Sequence, residues 1–308
     1  MELKTSLKKV MVAWDSRCQP CAGKMRHVNA SSFLPKLVMS LLLVAGVGDA
    51  DERRIYEAEL MQQFEVSNAR QGVAVDADHF YAVNNFAISK HDKSTGAAIT
   101  QWAGRAEGEP LIHLDSLMEL DGRLYASHSN YPVSPMTSSV EVWDAGTMRH
   151  VSSHSFGISR GSLTWLDRHD GFWWGAFANY DKIQNGQMVP YGHTNNTQVV
   201  KLDDDFRILQ AWTLPLEVLD RMRPMSNSGG SWGPDGMLYL TGHDLGEIYV
   251  MRIPDAGSTL SWIATVRTPV LEGQGIAWDR SMPGRYLWAI NKGDRKVLRI
   301  KIPEISQQ

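Results

Sequence analysis

The chain has 308 residues, of which 43% are hydrophobic and 11 are tryptophan, so it can bury a large core. Residues 51–308 contain 24 Lys and Arg against 31 Asp and Glu, a formal charge of −7, and show no basic stripe. This charge argues against a nucleic-acid partner, since binding nucleic acid requires clustered Lys and Arg.

The first fifty residues resemble a leader more than part of a globular core. Arg26 and Lys36 precede an apolar stretch at 37–47, and the small residues Gly48 and Ala50 follow it. Basic, apolar and small residues in this order are typical of a secretory signal peptide. The apolar stretch is too short to span a bilayer, so stable membrane insertion is not expected. The alternative is a buried or membrane-anchoring N-terminal helix.

We therefore divide the chain into three parts. Residues 1–24 are expected to be an upstream extension, with Met25 as the true start, and residues 25–50 a signal peptide cleaved near Ala50. Residues 51–308 then form one domain that is exported to the periplasm or the extracellular space. Both cysteines lie in the upstream extension, so the exported domain has no thiol for disulfide or thiolate chemistry.

A repeat follows, in which a strand-like run ends in a tight turn and restarts with aromatic residues. The turns contain Gly122, Gly171, Gly236 and Gly284, which are 49, 65 and 48 residues apart. Such a period, with several short strands per unit, is typical of a radial array such as a β-propeller. A β-sandwich is the alternative for many short strands, but it does not explain the period.

Each unit contains four strand candidates, so the sequence predicts an all-β fold, a five-bladed β-propeller with four-stranded antiparallel blades. The blades are predicted at about 70–104, 112–157, 160–215, 227–267 and 273–302. A short helix is predicted at 216–223. The last unit ends one strand early, and the unpartnered segment 54–67 supplies the missing strand. Closure of the last blade by this N-terminal strand removes exposed sheet edges.

In a propeller blade, the start of the first strand and the end of the second open on the same face, around a central funnel. Polar residues occupy these positions in every unit, with small or apolar residues just inside them, as a ligand site requires. Arg70, Asn85 and Asp115 are among the candidates on this face. The insertion at 180–197, which includes Lys182, is expected to lean over the funnel as a lid.

Histidine and tyrosine residues on this face suit acid/base chemistry, because each can take up or return a proton when neighbours position it. The predicted catalytic residues are His128, His243, Tyr131, Tyr180 and Arg160, the arginine as a charge stabiliser. The predicted substrate-binding residues are Gln71, Asn130, Asn179, His193, Asn227, Gln274 and Lys292. The alternative is that the histidines only form hydrogen bonds to neighbouring blades.

Oxygen-bearing side chains around the funnel also suit a hard cation such as Ca²⁺. The predicted metal ligands are Asn84, Asn179, Asp244, Glu272 and Asn291. The alternative is that an asparagine at a strand end is an ordinary turn residue. A zinc site built from three histidines has no supporting local spacing. No nucleotide or organic cofactor is expected, because no P-loop, GxSxG or dinucleotide motif occurs in a suitable context.

Two segments, QGVAVDADHFYAV (71–83) and EGQGIAWD (272–279), resemble the blade openings of five-bladed propellers such as the glutamine cyclotransferases. More distantly, they are similar to the gluconolactonase-like, metal-dependent propellers. The resemblance implies the propeller fold over residues 54–302. Because those families are secreted or bind an axial divalent cation, it also implies one of these two properties. The acidic metal ligands expected of the lactonases are mostly asparagine here, and no complete family active site matches residue by residue.

We therefore expect an exported propeller enzyme that acts on a small or saccharide-like polar substrate by acid/base chemistry, as a cyclase, an isomerase or a lyase. One alternative is a non-catalytic propeller that binds a ligand or a protein. The other is a Ca²⁺-dependent lactone or ester hydrolase. The sequence leaves the substrate and the oligomeric state open.

Overall fold

The computed structural model describes residues 54–104, 110–158, 160–184, 186–268 and 271–306. The predicted upstream extension and signal peptide, at 1–50, lie outside these residues. No helix in the described part of the chain is long and apolar enough to cross a membrane.

Five β-sheets make up the described fold, which confirms the prediction of an all-β, five-bladed propeller. Apart from the two N-terminal strands, the strands of each sheet follow one another in chain order, and neighbouring strands are antiparallel. The first strand of each blade contacts the first strands of the two neighbouring blades, so these five strands surround the axis.

The strands have the following bounds. The N-terminal strands are β1 (Arg54–Glu57) and β2 (Glu59–Glu65). Blade 1 contains β3 (Gly72–Val75), β4 (His79–Asn84), β5 (Ala87–Asp92) and β6 (Ala98–Ala103). Blade 2 contains β7 (Leu114–Leu120), β8 (Arg123–Ser129), β9 (Ser138–Asp144) and β10 (Arg149–Gly157).

The remaining blades continue in the same order. Blade 3 contains β11 (Ser162–His169), β12 (Phe172–Ala178), β13 (Gln198–Leu202) and β14 (Ile208–Thr213). Blade 4 contains β15 (Gly229–Trp232), β16 (Leu238–Thr241), β17 (Glu247–Arg252) and β18 (Ser261–Arg267). Blade 5 contains β19 (Ala277–Trp278), β20 (Tyr286–Asn291) and β21 (Lys296–Lys301). The predicted helix is α1 (Leu216–Met222), and a 3₁₀ turn spans Thr194–Asn196.

Asp-Gly pairs form the tight turns between the first two strands of blades 2 and 3. Asp121 and Gly122 have φ angles of 51° and 75°, and Asp170 and Gly171 have 49° and 75°. Two consecutive residues with positive φ define the hairpin turn that matches the twist of antiparallel strands, and Asp-Gly is a preferred sequence for it. The turn glycines that define the repeat therefore lie where the hairpins need them.

The N-terminal segment closes the ring as predicted, but it contributes to two blades. Strand β2 pairs antiparallel with β21 and becomes the outer strand of blade 5. Strand β1 pairs parallel with β18 and adds a fifth strand to blade 4. The segment crosses between the sheets at Ala58, whose N–H donates to the carbonyl oxygen of Arg267 at 2.9 Å. A segment of twelve residues (54–65) thus ties the fourth and fifth blades together.

The hydrophobic core consists of five clusters, and each cluster lies between two neighbouring blades. Trp165, Trp143 and Trp288 are completely buried in three of these seams. Burial of large side chains between blades supplies most of the stabilisation of such a fold, because each sheet presents two apolar faces.

Phe64 on β2 lies in the seam where the ring closes. Its ring centroid is 5.1 Å from that of Phe80 in blade 1 and 6.1 Å from that of Trp288 in blade 5. One aromatic side chain of the N-terminal segment therefore joins the first blade to the last.

Replacing Phe64 with Ala should lower the free energy of unfolding by about 3 kcal/mol, because it opens a cavity in this seam. Denaturation by urea measures the change. Leu60→Ala on the same strand, at a side chain that is 41% exposed, is the matched control and should cost less than about 1 kcal/mol. Equal losses for the two variants would contradict the described packing of the closing seam.

Candidate functional site

A cavity of about 370 Å³ lies at one end of the propeller axis, and we call it the axial cavity. All five blades contribute to it, mainly at the start of the first strand and after the second strand. Its lining residues are Arg70, Gln71, Asn85, His113, Asp115, Tyr131, Pro132, Tyr180, Lys182, Met225, His243 and Lys292. The cavity thus brings together five residues assigned to the site from the sequence: Gln71, Tyr131, Tyr180, His243 and Lys292.

Asp115 is the buried carboxylate of the axial cavity. It lies in a β-bulge of β7, where Asp115 and Ser116 together stand opposite Ser127, and a bulge of this kind can redirect a side chain. Its Oδ1 is 3.3 Å from the Nε2 of His113, while its Oδ2 is buried without a hydrogen-bond partner among the described residues. A buried carboxylate oxygen without a donor is costly, so this oxygen is available to a donor group of a ligand.

His243 is a half-buried imidazole that lines the axial cavity. Its Nδ1 is 3.2 Å from the carbonyl oxygen of Ser226. Because a carbonyl oxygen only accepts, Nδ1 carries the proton and Nε2 keeps its lone pair. Burial lowers the pKa of His243 to about 4, and the charge of Lys292 also lowers it. At neutral pH His243 is therefore uncharged and has one nitrogen able to accept a proton.

Aromatic rings connect the two histidines along the cavity wall. Ring centroids are 5.0 Å apart between His113 and Tyr131, 5.7 Å between Tyr131 and Tyr180, and 5.7 Å between Tyr180 and His243. Burial raises the pKa of Tyr180 well above its usual value and also raises the pKa of Tyr131. Both hydroxyls therefore stay protonated at neutral pH. The Tyr131 oxygen accepts a hydrogen bond from the Nε2 of Gln184 at 2.7 Å, which leaves its own proton free to donate.

Three cationic side chains also line the cavity. Lys292 is half-buried, while Arg70 and Lys182 are exposed. Burial lowers the pKa of Lys292, and the charges of Arg70 and Lys182 lower it further, although Asp115 opposes this effect. Arg70 and Lys182 are therefore both close enough to Lys292 for their charges to act on it, and Asp115 is the carboxylate that lines the same cavity.

His128 does not line the axial cavity, contrary to its predicted catalytic role. Its Nε2 accepts the backbone N–H of Ile112 at 3.3 Å, and its Nδ1 donates to Ser139, whose hydroxyl in turn donates to Glu141. Both ring nitrogens are therefore engaged inside blade 2. His128 is thus held by hydrogen bonds within its own blade, and not by the bonds to neighbouring blades that were its alternative.

Two of the predicted substrate-binding asparagines also have local structural partners. Asn227 is completely buried, accepts from the indole of Trp165 at 2.6 Å and donates to the carbonyls of Gly229 and Thr241. Asn130 donates to the carbonyl of Pro135 and accepts the N–H of Thr137, so its hydrogen bonds lie within its own loop. Neither asparagine lines the axial cavity.

Arg160 and Asn179 line a second cavity of about 400 Å³ between blades 2 and 3. The Nη1 of Arg160 is 3.4 Å from the Oε1 of Gln198, and Asn179 donates to the carbonyls of Arg160 and Asn196. Tyr191 from the 180–197 insertion lines this cavity, and its ring also contacts Tyr180 at 5.6 Å. Arg160 and Asn179 thus line this second cavity and not the axial one, and the contacting rings of Tyr180 and Tyr191 line one cavity each.

His193 and Gln274 lie outside both cavities. The His193 side chain is 77% exposed and is 3.6 Å from Asp181. Gln274 is buried beside the axis with a φ of 102°, and its backbone carbonyl accepts from the hydroxyl of Thr241 at 2.6 Å. A positive φ at a non-glycine residue costs energy, and here neighbouring backbone holds it.

The predicted calcium ligands do not line the axial cavity either. Four of them have local partners: Asn84 with Asn68 and Phe86, Asp244 with Tyr249, Glu272 with Gly293, and Asn291 with Asp294. No group of three or more His, Cys, Asp and Glu side chains in the described ranges is placed to hold a metal ion. Calcium binding stays a prediction from the sequence.

His113 is a cavity residue that the sequence analysis missed. It precedes β7, and its carbonyl accepts the N–H of Ser129 at 3.1 Å, which fixes it beside the end of β8. Its position two residues before Asp115 is a sequence signal, since alternate residues of an extended chain share a side. The bulge at Asp115 interrupts the alternation of sides along β7, so the strand pattern alone does not place His113 and Asp115 together.

Comparison with known proteins agrees with the fold. No protein-family model matches the chain, and no curated protein matches it by sequence. The structure is similar to glutaminyl cyclase from Myxococcus xanthus, with a TM-score of 0.54 and 13% identity over 81% of this chain and 98% of that chain. Aldose sugar dehydrogenase from Streptomyces coelicolor, in its PQQ-bound form, has a TM-score of 0.47 and 12% identity over 81% and 82%. The first similarity confirms the resemblance in fold that the sequence predicts.

The burial of His243 predicts a pH dependence of stability. In the unfolded chain its pKa is about 6.5, so between pH 6.5 and 4 the unfolded state binds a proton that the folded state does not. The free energy of unfolding should therefore fall as the pH is lowered through this window. His243→Asn keeps a donor near Ser226 and removes the titration.

Relative to the parent, this variant should gain up to roughly 3 kcal/mol between pH 7 and pH 4, as measured by urea denaturation. His193→Asn, at an exposed imidazole, is the control and should leave the pH dependence unchanged. A parallel pH dependence for parent and His243→Asn would contradict the burial of a neutral imidazole.

Proposed function

We propose that the protein is an enzyme that moves protons on a small polar substrate in the axial cavity, with His243 as the proton acceptor. One observation carries this proposal. A neutral imidazole with a free Nε2 lies in the same cavity as a buried carboxylate oxygen that has no donor. Proton acceptors of this kind, held by a fixed hydrogen bond on the other nitrogen, are typical of general-base catalysis.

The other groups of the cavity have complementary roles in this proposal. Asp115, held by His113, orients a hydroxyl or amino group of the substrate through its unpaired oxygen. The hydroxyls of Tyr131 and Tyr180, with raised pKa values, donate hydrogen bonds to an oxygen that gains negative charge. His243 takes a proton from the substrate and returns it to another substrate atom, as in a cyclisation, an isomerisation or an elimination.

The dimensions of the cavity limit the substrate. A volume of about 370 Å³ is near the lower end for small-molecule sites, which supports a substrate of metabolite size. The predicted signal peptide would place the activity in the periplasm or outside the cell. Two roles differ from those predicted from the sequence. Asp115, with His113, takes the catalytic place predicted for His128, and Lys292 takes the place of Arg160 as charge stabiliser.

A panel of three substrate types tests the proposal: a dipeptide with N-terminal glutamine for cyclisation, a hydroxy acid for elimination or isomerisation, and an aldonolactone for hydrolysis. On a substrate that turns over, His243→Asn and Asp115→Asn should each lower kcat/KM by about 100-fold or more. Thermal unfolding should show that both variants remain folded.

His193→Gln is the matched control and should stay within about twofold of the parent, because this imidazole is exposed and outside the cavity. Full activity in His243→Asn would refute the assigned base. Ligand binding in the cavity without turnover would instead support the non-catalytic propeller, and loss of activity on adding a chelator would support the calcium-dependent hydrolase.

A further inference from the structure

The charge of the axial cavity is opposite in sign to that of the domain. Residues 51–308 carry a formal charge of −7, yet the cavity lining contains three cations against the single carboxylate of Asp115, with His243 neutral. None of Arg70, Lys182 and Lys292 forms an ion pair with another described residue. The charges of Arg70 and Lys182 disfavour the charged form of Lys292, so the arrangement costs energy unless an anion joins it.

Three cations that link one blade to another are matched with carboxylates. Lys93 lies 2.9 Å from Asp279, and Arg280 lies 2.7 Å from Asp167. Arg285 is also paired, at 2.7 Å from Asp235. Glu272 influences Lys292 electrostatically but accepts a hydrogen bond from the backbone N–H of Gly293. These blade-linking cations are therefore neutralised, whereas the three that line the axial cavity form no such pair.

We propose that the ligand of the axial cavity is a small anion whose carboxylate or phosphate group binds among Arg70, Lys182 and Lys292. The inference rests on the proposed function only in sharing the cavity. An arginine and two lysines supply several donors and the positive charge that either group needs. The remainder of the ligand then lies toward Asp115 and His243, and a donor group on it meets the free oxygen of Asp115.

The charges that line the cavity would orient such a ligand. The anionic group is repelled by Asp115 and attracted by the three cations, so the orientation in which it contacts the cations is favoured. Because the charges of Lys292 and Lys182 also act on His243, the part of the ligand next to its anionic group lies near His243, where the proposed proton transfer takes place. Substrate orientation by charge is thus a consequence of the arrangement.

Binding of succinate and of inorganic phosphate to the full chain, measured by calorimetry at low and at physiological salt, tests the inference. Succinamide, which has nearly the shape of succinate without its charge, is the ligand control. At least one of the anions should bind, more weakly at higher salt, and succinamide should not bind measurably. Preference for succinate or for phosphate decides between the two anionic groups.

Lys292→Met and Arg70→Met should each weaken binding of the preferred anion by about tenfold or more. Lys301→Met, on an exposed lysine at the end of β21, removes the same charge away from the cavity and should leave binding within about twofold. Equal affinity for succinamide, unchanged affinity in both cavity variants, or no binding of either anion would overturn the inference.

The same variants separate this inference from the proposed function. His243→Asn should keep its affinity for the anion while losing turnover. Anion binding by a parent chain that shows no turnover would refute the enzyme and leave the anion site standing. Turnover of an uncharged substrate that is unaffected by Lys292→Met would refute the anion site and leave the enzyme standing.

Discussion

The structure depends on how closely the innermost strands approach each other at the axis. A Cβ atom built on Gly275 would lie 2.6 Å from the Oγ of Ser116 and 2.9 Å from the Cα of Gly72, a distance that side chains do not tolerate. Gln71 and Asp115 line the axial cavity, and the residues that follow them, Gly72 and Ser116, meet at the axis. Packed backbone therefore forms a floor beneath the cavity, so the propeller presents a pocket on this side.

Charge is distributed differently above and below this floor. At the hairpin-turn end, Lys93 and Arg280 each pair with a carboxylate of another blade, and these pairs connect the blades. In the axial cavity, by contrast, Asp115 keeps one oxygen without a donor, and the nearby cations keep their charges unmatched. Unpaired buried groups reduce stability, and they are found where a protein binds something. The floor thus separates a face that stabilises the ring from a face that carries the proposed site.

The repeat in the sequence was sufficient to predict the fold, because hairpin turns with positive φ favour glycine and recur in four of the five blades. It predicted the end of the propeller at which Tyr131, Tyr180, His243 and Lys292 meet. It did not predict which polar side chains are used up by local hydrogen bonds. His128 sits at the strand end that corresponds to His243, but Ser139 and Ile112 take both of its nitrogens. Partners of this kind depend on the packing of a blade, which a repeat does not specify.

The sequence also did not predict that the N-terminal segment is divided between two blades. Its pattern predicts one strand at 54–67, whereas the parallel pairing of β1 with β18 depends on where blade 4 ends after the ring has closed. The bulge at Asp115 is a similar case, since register shifts arise from contacts with the neighbouring strand.

The central claim is that His243 is a neutral base with a free Nε2, and nitrogen NMR of the imidazole tests it most directly. We predict a neutral ring at pH 7 with its proton on Nδ1, and protonation of Nε2 only as the pH approaches about 4. A proton on Nε2 at pH 7, or an imidazolium at that pH, would contradict the claim.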